Sequence, residues 1–400
     1  MRVCDIAQWY APQSGGIKRY IQAKSSWLGG ATDHDHVIVI PGDCDRITTV
    51  GRCTTHLVKS PRVPGSGGYR FFLRLGAIRR IVEKEQPDII EAADPYASLW
   101  AARAAARRLN IPVVCYQHSG FVPLRYLPGH SEVHNALRRC NEAFERWQLR
   151  RTDAVFVASD TLRAQLTSNS VPRVCTVPIG CDPAAFDPAL AHGRSLKAEL
   201  GLPDDAILLL YVGRFAAEKR LPLLLDMMRH LRARGGRRLW HLVLAGDGPC
   251  RAALLRDAIA MPTVSFEPYT TDTSRLATLY ASADAFVHPG HGETFGLAAL
   301  EARFCGCPTV CVRGSGLSAE LMDNAGEVAG SPTGESLAEA VVRAVDRKFN
   351  RAALRSAAIA RFSADACFKH QLGLYDELID IHRSEARAAT AAACPAEHSA

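Results

Sequence analysis

The feature that most constrains the fold of this chain is an alternation, over most of its 400 residues, of short β-branched runs and longer segments of helical period. The run at 112–117 is typical of a buried strand. The segment at 70–85 carries apolar residues at three- and four-residue steps, namely Phe71, Leu75, Ile78 and Val82. Strands that alternate with helices form a parallel sheet covered by helices on both faces. We therefore predict an α/β protein with doubly wound sheets.

The alternation breaks once, at the proline- and glycine-rich stretch 178–183, which is typical of a connector. Predicted strands lie before it at 2–8, 36–40, 88–91, 112–117, 153–157 and 173–177. They lie after it at 206–212, 239–245, 263–266, 284–288 and 308–312. The chain is also long enough for two domains. We predict an N-terminal domain at 1–178 and a C-terminal domain at 179–363. A helix at about 364–386 is expected to pack back on the first domain, and a disordered tail is expected at 387–400.

The cysteines do not indicate a disulfide framework or a zinc site. Their number, 13, is odd, and no Cys-x-x-Cys pair occurs. Several lie within or beside apolar strand-like runs, namely Cys4, Cys115, Cys175 and Cys311. A free thiol in such a run behaves as a small hydrophobic side chain. The pattern favours reduced thiols in a cytoplasmic protein.

The sequence shows no signal-peptide core after Met1 and no apolar run near the roughly 20 residues that span a bilayer. The net charge of +7 is accompanied by arginines in the first half, namely Arg74, Arg79, Arg80, Arg138, Arg139, Arg146, Arg150 and Arg151. These arginines permit peripheral contact with the inner face of a membrane or with an anionic acceptor. Because glutamates such as Glu83 and Glu142 are interleaved with them, solvated helix faces are the alternative.

The most specific segment is 291–302, which follows a predicted strand ending near His288. It opens a helix whose free backbone N–H groups form an anion site for a diphosphate. Glu293 precedes this helix and Glu301 lies on it. Two carboxylates placed in this way can bind hydroxyl groups at the two ends of a nucleotide sugar.

A second candidate site follows the predicted strand 206–212, where Arg214 comes directly after a glycine and Lys219 follows five residues later. A guanidinium and a nearby ammonium can neutralise a leaving diphosphate. A structural pair on a strand-to-helix turn is the alternative interpretation.

Two features of the first half point to the same ligand. Gly15 and Gly16 follow the first strand, and paired glycines let a backbone approach a ligand, although many such turns only connect elements. His118 ends the predicted strand 112–117, where a lone histidine is otherwise more often a satisfied polar residue.

Taken together, these motifs resemble the Glu-x7-Glu motif and its surroundings in the retaining glycosyltransferase family 4, of the group 1 type. The resemblance covers nearly the whole chain and is most specific at 205–325. It implies the GT-B fold, in which two Rossmann-like domains face a central cleft. One departure is the glycine-rich loop 314–316, which reaches Glu320 by a longer route than the family pattern, and we assign Glu320 no ligand role.

The resemblance also implies roles for the candidate residues. Glu293 would contact the transferred sugar and Glu301 the ribose hydroxyls. The donor phosphates would be bound by Arg214 and Lys219, with His118 on the transferred sugar. The remaining contacts would come from backbone groups near the donor, namely those of Gly15, Gly16, Phe295, Gly296 and Leu297.

The implied activity is retaining transfer of a hexose, of the mannose or glucose type, from a nucleotide diphosphate sugar to a glycan or a lipid-linked acceptor. The acceptor would be bound by variable loops at 10–20, 60–70 and 119–130. We expect no cofactor, no metal ion and no nucleic-acid partner; the acid–histidine run 33–36 lacks a fourth ligand at a supporting spacing. A nucleotide-sugar epimerase and a non-catalytic sugar-binding relative are the alternatives. A dinucleotide-binding Gly-x-Gly-x-x-Gly turn is absent, which argues against a dehydrogenase.

Overall fold

The structure is a computed structural model that describes residues 1–11, 16–64, 68–118, 132–193, 195–291, 293–317 and 319–393. The chain divides into two compact units. Unit 1 comprises Met1–Gly180 and Ala364–Ala400, and unit 2 comprises Cys181–Ser363. Each unit is an α/β unit built on a mainly parallel sheet, which confirms the predicted fold class.

Unit 1 contains eight strands among its described residues. They are β1 Arg2–Ile6, β2 Asp35–Gly42, β3 Arg46–Val50, β4 Cys53–Lys59, β5 Ile89–Ala92, β6 Val113–Gln117, β7 Ala154–Val157 and β8 Val174–Thr176. The helices that alternate with them are α1 Gly16–Ala31, α2 Leu75–Glu85, α3 Ala97–Leu109, α4 Glu132–Leu149 and α5 Asp160–Ser168. The sheet order is β3-β4-β2-β1-β5-β6-β7-β8, and only the pair β3–β4 is antiparallel.

Two predictions for unit 1 were wrong in detail. The strands β3 and β4 were not predicted, because every residue of β3 is exposed and no apolar alternation marks it. The predicted helix 70–85 begins only at Leu75, so Phe71 lies outside it with 41% of its surface exposed.

In its described part, unit 2 contains six parallel strands in the order β11-β10-β9-β12-β13-β14. The strands are β9 Ile207–Val212, β10 Trp240–Ala245, β11 Val264–Glu267, β12 Ala285–His288, β13 Thr309–Val312 and β14 Gly326–Ala329. The helices are α6 Leu196–Glu199, α7 Pro222–Ala233, α8 Arg251–Ala258, α9 Thr273–Ser282, α10 Leu297–Phe304, α11 Ala319–Met322, α12 Gly334–Asp346 and α13 Arg351–Phe362. The strand β14 and the helices α6, α11 and α13 were not predicted.

The order of the strands determines where each unit can bind a ligand. In unit 1, β1 lies between β2 and β5, and in unit 2, β9 lies between β10 and β12. The chain therefore changes direction across the sheet at β1/β5 and at β9/β12. Ligands of open α/β sheets bind at the carboxyl ends of the strands beside such a point. His118, Arg214 and Glu293 follow β6, β9 and β12, so each lies at the carboxyl edge of its own sheet.

The last helix, α14 Ala364–Ala393, belongs to unit 1 and completes its interior. It continues beyond the end that we predicted near 386, so the predicted tail 387–400 is helical up to Ala393, and the residues after it lie outside the described part. Among the described helices, none has the length and the apolar character that a bilayer-spanning helix needs.

The interior of unit 1 contains a group of charged and polar side chains that we call the Lys24 cluster. Its members are buried and come from β1, α1, β2, β5 and α14, namely Asp5, Tyr20, Lys24, His36, Glu91, Gln371 and Tyr375. The Lys24 ammonium lies 2.7 Å from Asp5 Oδ1 and 3.4 Å from Glu91 Oε1. It donates a hydrogen bond of 2.8 Å to the Tyr375 hydroxyl on α14. Buried charges that are paired in this way are stable only while all partners remain.

Candidate active site

The chain that follows β12 leads to the N-terminus of α10 at the carboxyl edge of the sheet of unit 2. Gly296 caps α10 with a φ of 103°, a left-handed conformation that favours glycine. The backbone N–H groups of Phe295, Gly296 and Leu297 donate to no acceptor among the described residues. Three converging N–H groups at the positive end of a helix can bind the oxygens of a phosphate.

Glu293 lies beside this N-terminus, with its side chain 23% exposed. Its Oε1 accepts a hydrogen bond from the Lys219 ammonium and lies 3.3 Å from His288 Nε2. Burial alone would raise the pKa of Glu293, but the hydrogen bond from His288 and the charge of Lys219 together lower it to about 2. The carboxylate is therefore ionised at neutral pH and can accept hydrogen bonds from sugar hydroxyls.

The glycine-rich turn 314–316 fixes the backbone of Glu293. The Glu293 N–H donates to Ser315 O at 3.2 Å, and His291 Nδ1 lies 2.9 Å from Gly314 O. A Cβ atom at Gly316, where φ is 83°, would lie only 2.0 Å from Glu293 O. This turn departs from the family spacing, and the structure shows that it supports the carboxylate loop.

Replacement of Gly316 by alanine is therefore expected to move the Glu293 backbone. The strained φ and the contact with backbone atoms should destabilise the protein by about 1–3 kcal/mol. Glycosyl transfer should fall further than the loss of folded protein explains, because Glu293 is displaced. Thermal unfolding and initial rates would measure both effects. The matched control is Gly314→Ala, since a Cβ at Gly314 meets nothing within 4 Å while its φ of 75° is similar; equal activities of the two variants would contradict the prediction.

Arg214 and Lys219 lie on the connection that follows β9, at the neighbouring strand end. The Gly213 N–H donates to Ala245 O at 3.0 Å, and the Phe215 N–H donates to Asp247 O at 2.8 Å. These bonds hold the connection against the turn after β10. The Arg214 side chain is exposed and forms no ion pair among the residues that the structure describes. It is free to bind an anion, whereas Lys219 already contacts Glu293.

Glu301 is placed differently from the expectation of an open ribose contact. It is on α10 as predicted, but only 2% of its surface is exposed. The Tyr280 hydroxyl donates a hydrogen bond of 2.9 Å to Glu301 Oε2. Tyr280 therefore orients the Glu301 carboxylate, a contact that the sequence did not indicate.

The remaining predicted residues belong to unit 1. His118 follows β6, and its ring stacks on Tyr116 with ring centroids 4.2 Å apart. Burial lowers the pKa of His118 to about 3, so the imidazole is neutral at neutral pH. Gly16 is the first residue of α1 and is exposed, and Gly15 lies outside the described residues.

The structure thus brings Lys219, Glu293 and the N-terminus of α10 together, with Arg214 on the same connection as Lys219. His288 completes this group and was not predicted, although its position at the end of β12 was the available signal. Within the described ranges no group of three or more His, Cys, Asp and Glu side chains is arranged to hold a metal ion.

Comparison with known proteins connects this geometry to a family. The sequence profile of Glycosyltransferase Family 4 matches residues 14–185, and that of Glycosyl transferases group 1 matches residues 206–347. A GDP-mannose-dependent alpha-(1-6)-phosphatidylinositol dimannoside mannosyltransferase of Mycobacterium tuberculosis is 30% identical over 348 residues, which are 82% of this chain and 84% of the relative. The chain belongs to glycosyltransferase family 4. It is a glycosyltransferase, and the predicted family is confirmed.

Other relatives of this family 4 protein agree with the assignment. A GDP-mannose-dependent alpha-mannosyltransferase of Corynebacterium glutamicum is 27% identical over 321 residues, covering 79% of this chain and 73% of the relative. Among solved structures, sucrose-phosphate synthase from Thermosynechococcus elongatus superimposes with a TM-score of 0.74 at 22% identity, covering 95% of this chain and 99% of that one. This structural likeness confirms the GT-B fold class.

Proposed function

We propose that this protein is a retaining mannosyltransferase that moves mannose from GDP-mannose to a lipid-linked or glycan acceptor without a divalent cation. The observation that carries the proposal is the ionised Glu293, held by Lys219 and His288 beside the free N-terminus of α10. The relatives described above as GDP-mannose-dependent mannosyltransferases support this base and this sugar over a UDP-linked glucose.

The donor diphosphate would bind to the N–H groups of Phe295, Gly296 and Leu297. Arg214, exposed and without an ion-pair partner in the described part of the chain, would move onto the outer phosphate oxygens. Lys219 would stabilise the negative charge that develops as the bond between the sugar and the phosphate breaks. Preorganised positive groups at a developing anion contribute about 3–4 kcal/mol each to transition-state stabilisation. These groups would supply positive charge at the diphosphate without a divalent cation.

Glu293 would accept hydrogen bonds from hydroxyls of the transferred mannose. The neutral His118 of unit 1 would donate one to the same sugar, since its low pKa keeps the ring uncharged. We propose that the acceptor is bound by loops of unit 1 and attacks from the face that the phosphate leaves. The phosphate oxygen would then accept the proton of the acceptor hydroxyl. No observation favours the epimerase or the non-catalytic relative.

The proposal predicts that GDP and GDP-mannose raise the melting temperature, whereas UDP and UDP-glucose do not. A ligand at 100 times its dissociation constant stabilises the folded state by about 2.7 kcal/mol. The shift should be much smaller in Glu301→Gln, because the ribose contact is weakened.

The control for this experiment is Glu339→Gln, which changes an acidic side chain on α12 that is 51% exposed. A shift with UDP and not with GDP would contradict the choice of base. Absence of a shift with every nucleotide in the folded wild-type protein would contradict the transferase mechanism itself.

A further inference from the structure

Unit 1 exposes a continuous aromatic surface on α3 and α4. Trp100 on α3 is 45% exposed and Trp147 on α4 is 50% exposed. The ring of Phe144 connects them, with centroids 6.1 Å from each tryptophan. Leu137, 50% exposed, extends the same stripe, because positions 137, 144 and 147 share one face of α4, and Arg151 follows two residues after its end. Large exposed apolar patches on a folded protein indicate contact with another apolar phase.

Arginines surround this stripe. The Arg151 guanidinium lies 3.6 Å from the centroid of the Trp147 ring, in a cation–π contact. Arg103 and Arg107 lie one helical turn apart on α3. Burial lowers the pKa of Arg103, and the neighbouring charges of Arg107 and Arg151 lower it further, which places all three guanidinium groups in one electrostatic neighbourhood.

These positive charges are not neutralised within the described part of the chain. No carboxylate lies within ion-pair distance of Arg103, Arg107 or Arg151 there. Two acidic side chains of α4 are engaged elsewhere: Glu142 pairs with Arg138 at 3.7 Å, and Glu145 is buried against Asn141 at 2.8 Å. Converging arginines that lack a counter-charge are suited to bind anionic groups from outside the chain.

We propose that this surface, which we call the Trp–Arg face and define as Trp100, Arg103, Arg107, Trp147 and Arg151, binds the protein to a bilayer with anionic headgroups. Tryptophan favours the boundary between headgroups and acyl chains, since its ring is apolar and its N–H is polar. Guanidinium groups at the same depth bind the lipid phosphates. Aromatic and basic side chains exposed beside each other on two neighbouring helices match the headgroup region of an anionic bilayer, which binds both indole rings and guanidinium groups.

This inference rests on the proposed function, because a lipid-linked acceptor would require the enzyme to work at a membrane. Vesicle binding can nevertheless be measured without donor or acceptor. The full-length protein would be sedimented with vesicles of phosphatidylcholine alone and of phosphatidylcholine mixed with phosphatidylglycerol. We expect binding to the mixed vesicles, weakening as salt is added, and binding about tenfold or more weaker to phosphatidylcholine alone. Tryptophan fluorescence should shift to the blue on binding.

Two sets of variants test the face itself. Trp100→Ala with Trp147→Ala removes the aromatic part, and Arg103→Gln with Arg107→Gln and Arg151→Gln removes the charges. Each set should weaken binding to mixed vesicles about tenfold or more. The matched control is Arg229→Gln with Arg232→Gln and Arg234→Gln, which removes the same charge from exposed arginines at α7 of unit 2.

The outcomes separate the proposal from its alternatives. Equal losses in the control set and the face set would show that net charge alone drives binding, and would overturn the proposal. The proposal would also be overturned if the wild-type protein did not sediment with the mixed vesicles, or if it bound both kinds of vesicle equally. Unchanged melting temperatures, and an unchanged shift with GDP, would show that the face variants are folded and bind donor. A failure of vesicle binding is therefore distinguishable from a failure of the proposed function.

Discussion

Replacement of Lys24 by methionine is expected to destabilise unit 1 by about 3–5 kcal/mol, because it leaves the buried carboxylates of Asp5 and Glu91 without their cation. The Lys24 side chain is only 2% exposed, so water cannot take over its role. Chemical denaturation followed by circular dichroism would measure the loss. Lys369→Met on α14 is the matched control, since the Lys369 side chain is 68% exposed in its pair with Asp365. That change should cost less than about 1 kcal/mol.

The Lys24 cluster also predicts how the free energy of unfolding depends on pH. Burial alone would raise the pKa of Asp5, but the charges of Lys24 and His36 lower it to about 2 in the folded protein. A carboxyl whose folded pKa is depressed stabilises the protein above its unfolded pKa, near 4, and this contribution disappears as the pH falls toward 2. The wild-type protein should lose stability over that range more steeply than Lys24→Met. Equal slopes would contradict the assignment of the low pKa to the Lys24 contact.

Glu293→Gln is expected to lower kcat by about 10²–10³-fold, the usual effect of removing one preorganised polar group from the reacting centre. The amide keeps the size of the side chain but has no negative charge to pair with the Lys219 ammonium, and it can present an N–H where a sugar hydroxyl would donate. Initial rates with GDP-mannose and an accepting lipid or glycan would measure the change. Glu218→Gln, one residue from Lys219, is the control and should retain most of the activity.

The pKa of Glu293 adds a second readout. Because that pKa is about 2, ionisation of Glu293 should not appear in the rate between pH 5 and pH 8. The thermal shift with GDP should survive in Glu293→Gln, since the phosphate and ribose contacts remain. A variant that keeps the wild-type kcat would show that Glu293 does not act on the transferred sugar.

The sequence was informative where a candidate functional residue comes shortly after a predicted strand. Arg214, His118 and Glu293 each come shortly after an apolar run, and the carboxyl ends of parallel strands share one edge of a sheet. The place of each residue at the carboxyl edge of its own sheet was therefore predictable from local pattern, and the family resemblance added the roles. The roles themselves stay predictions until the variants are measured.

What could not be predicted depends on contacts between distant parts of the chain. Nothing near Lys24 in the sequence indicates that Tyr375 lies 2.8 Å away, because this contact spans 351 positions. The burial of Glu301 beneath Tyr280 depends on how α9 packs against α10. The contact between Gly316 and the backbone of Glu293 could not be predicted either, because the only trace of such a contact in the sequence is the glycine itself.

The return of α14 to unit 1 has a consequence for biosynthesis. The ribosome synthesises residues 181–363 before it synthesises α14. Unit 2 can therefore fold while unit 1 still lacks Gln371 and Tyr375. Until those two side chains arrive, Glu91 is short of two of its hydrogen-bond donors. The half of the protein that is made first is therefore the half that matures last, and a nascent chain stalled before α14 would present an incomplete first unit to chaperones and proteases.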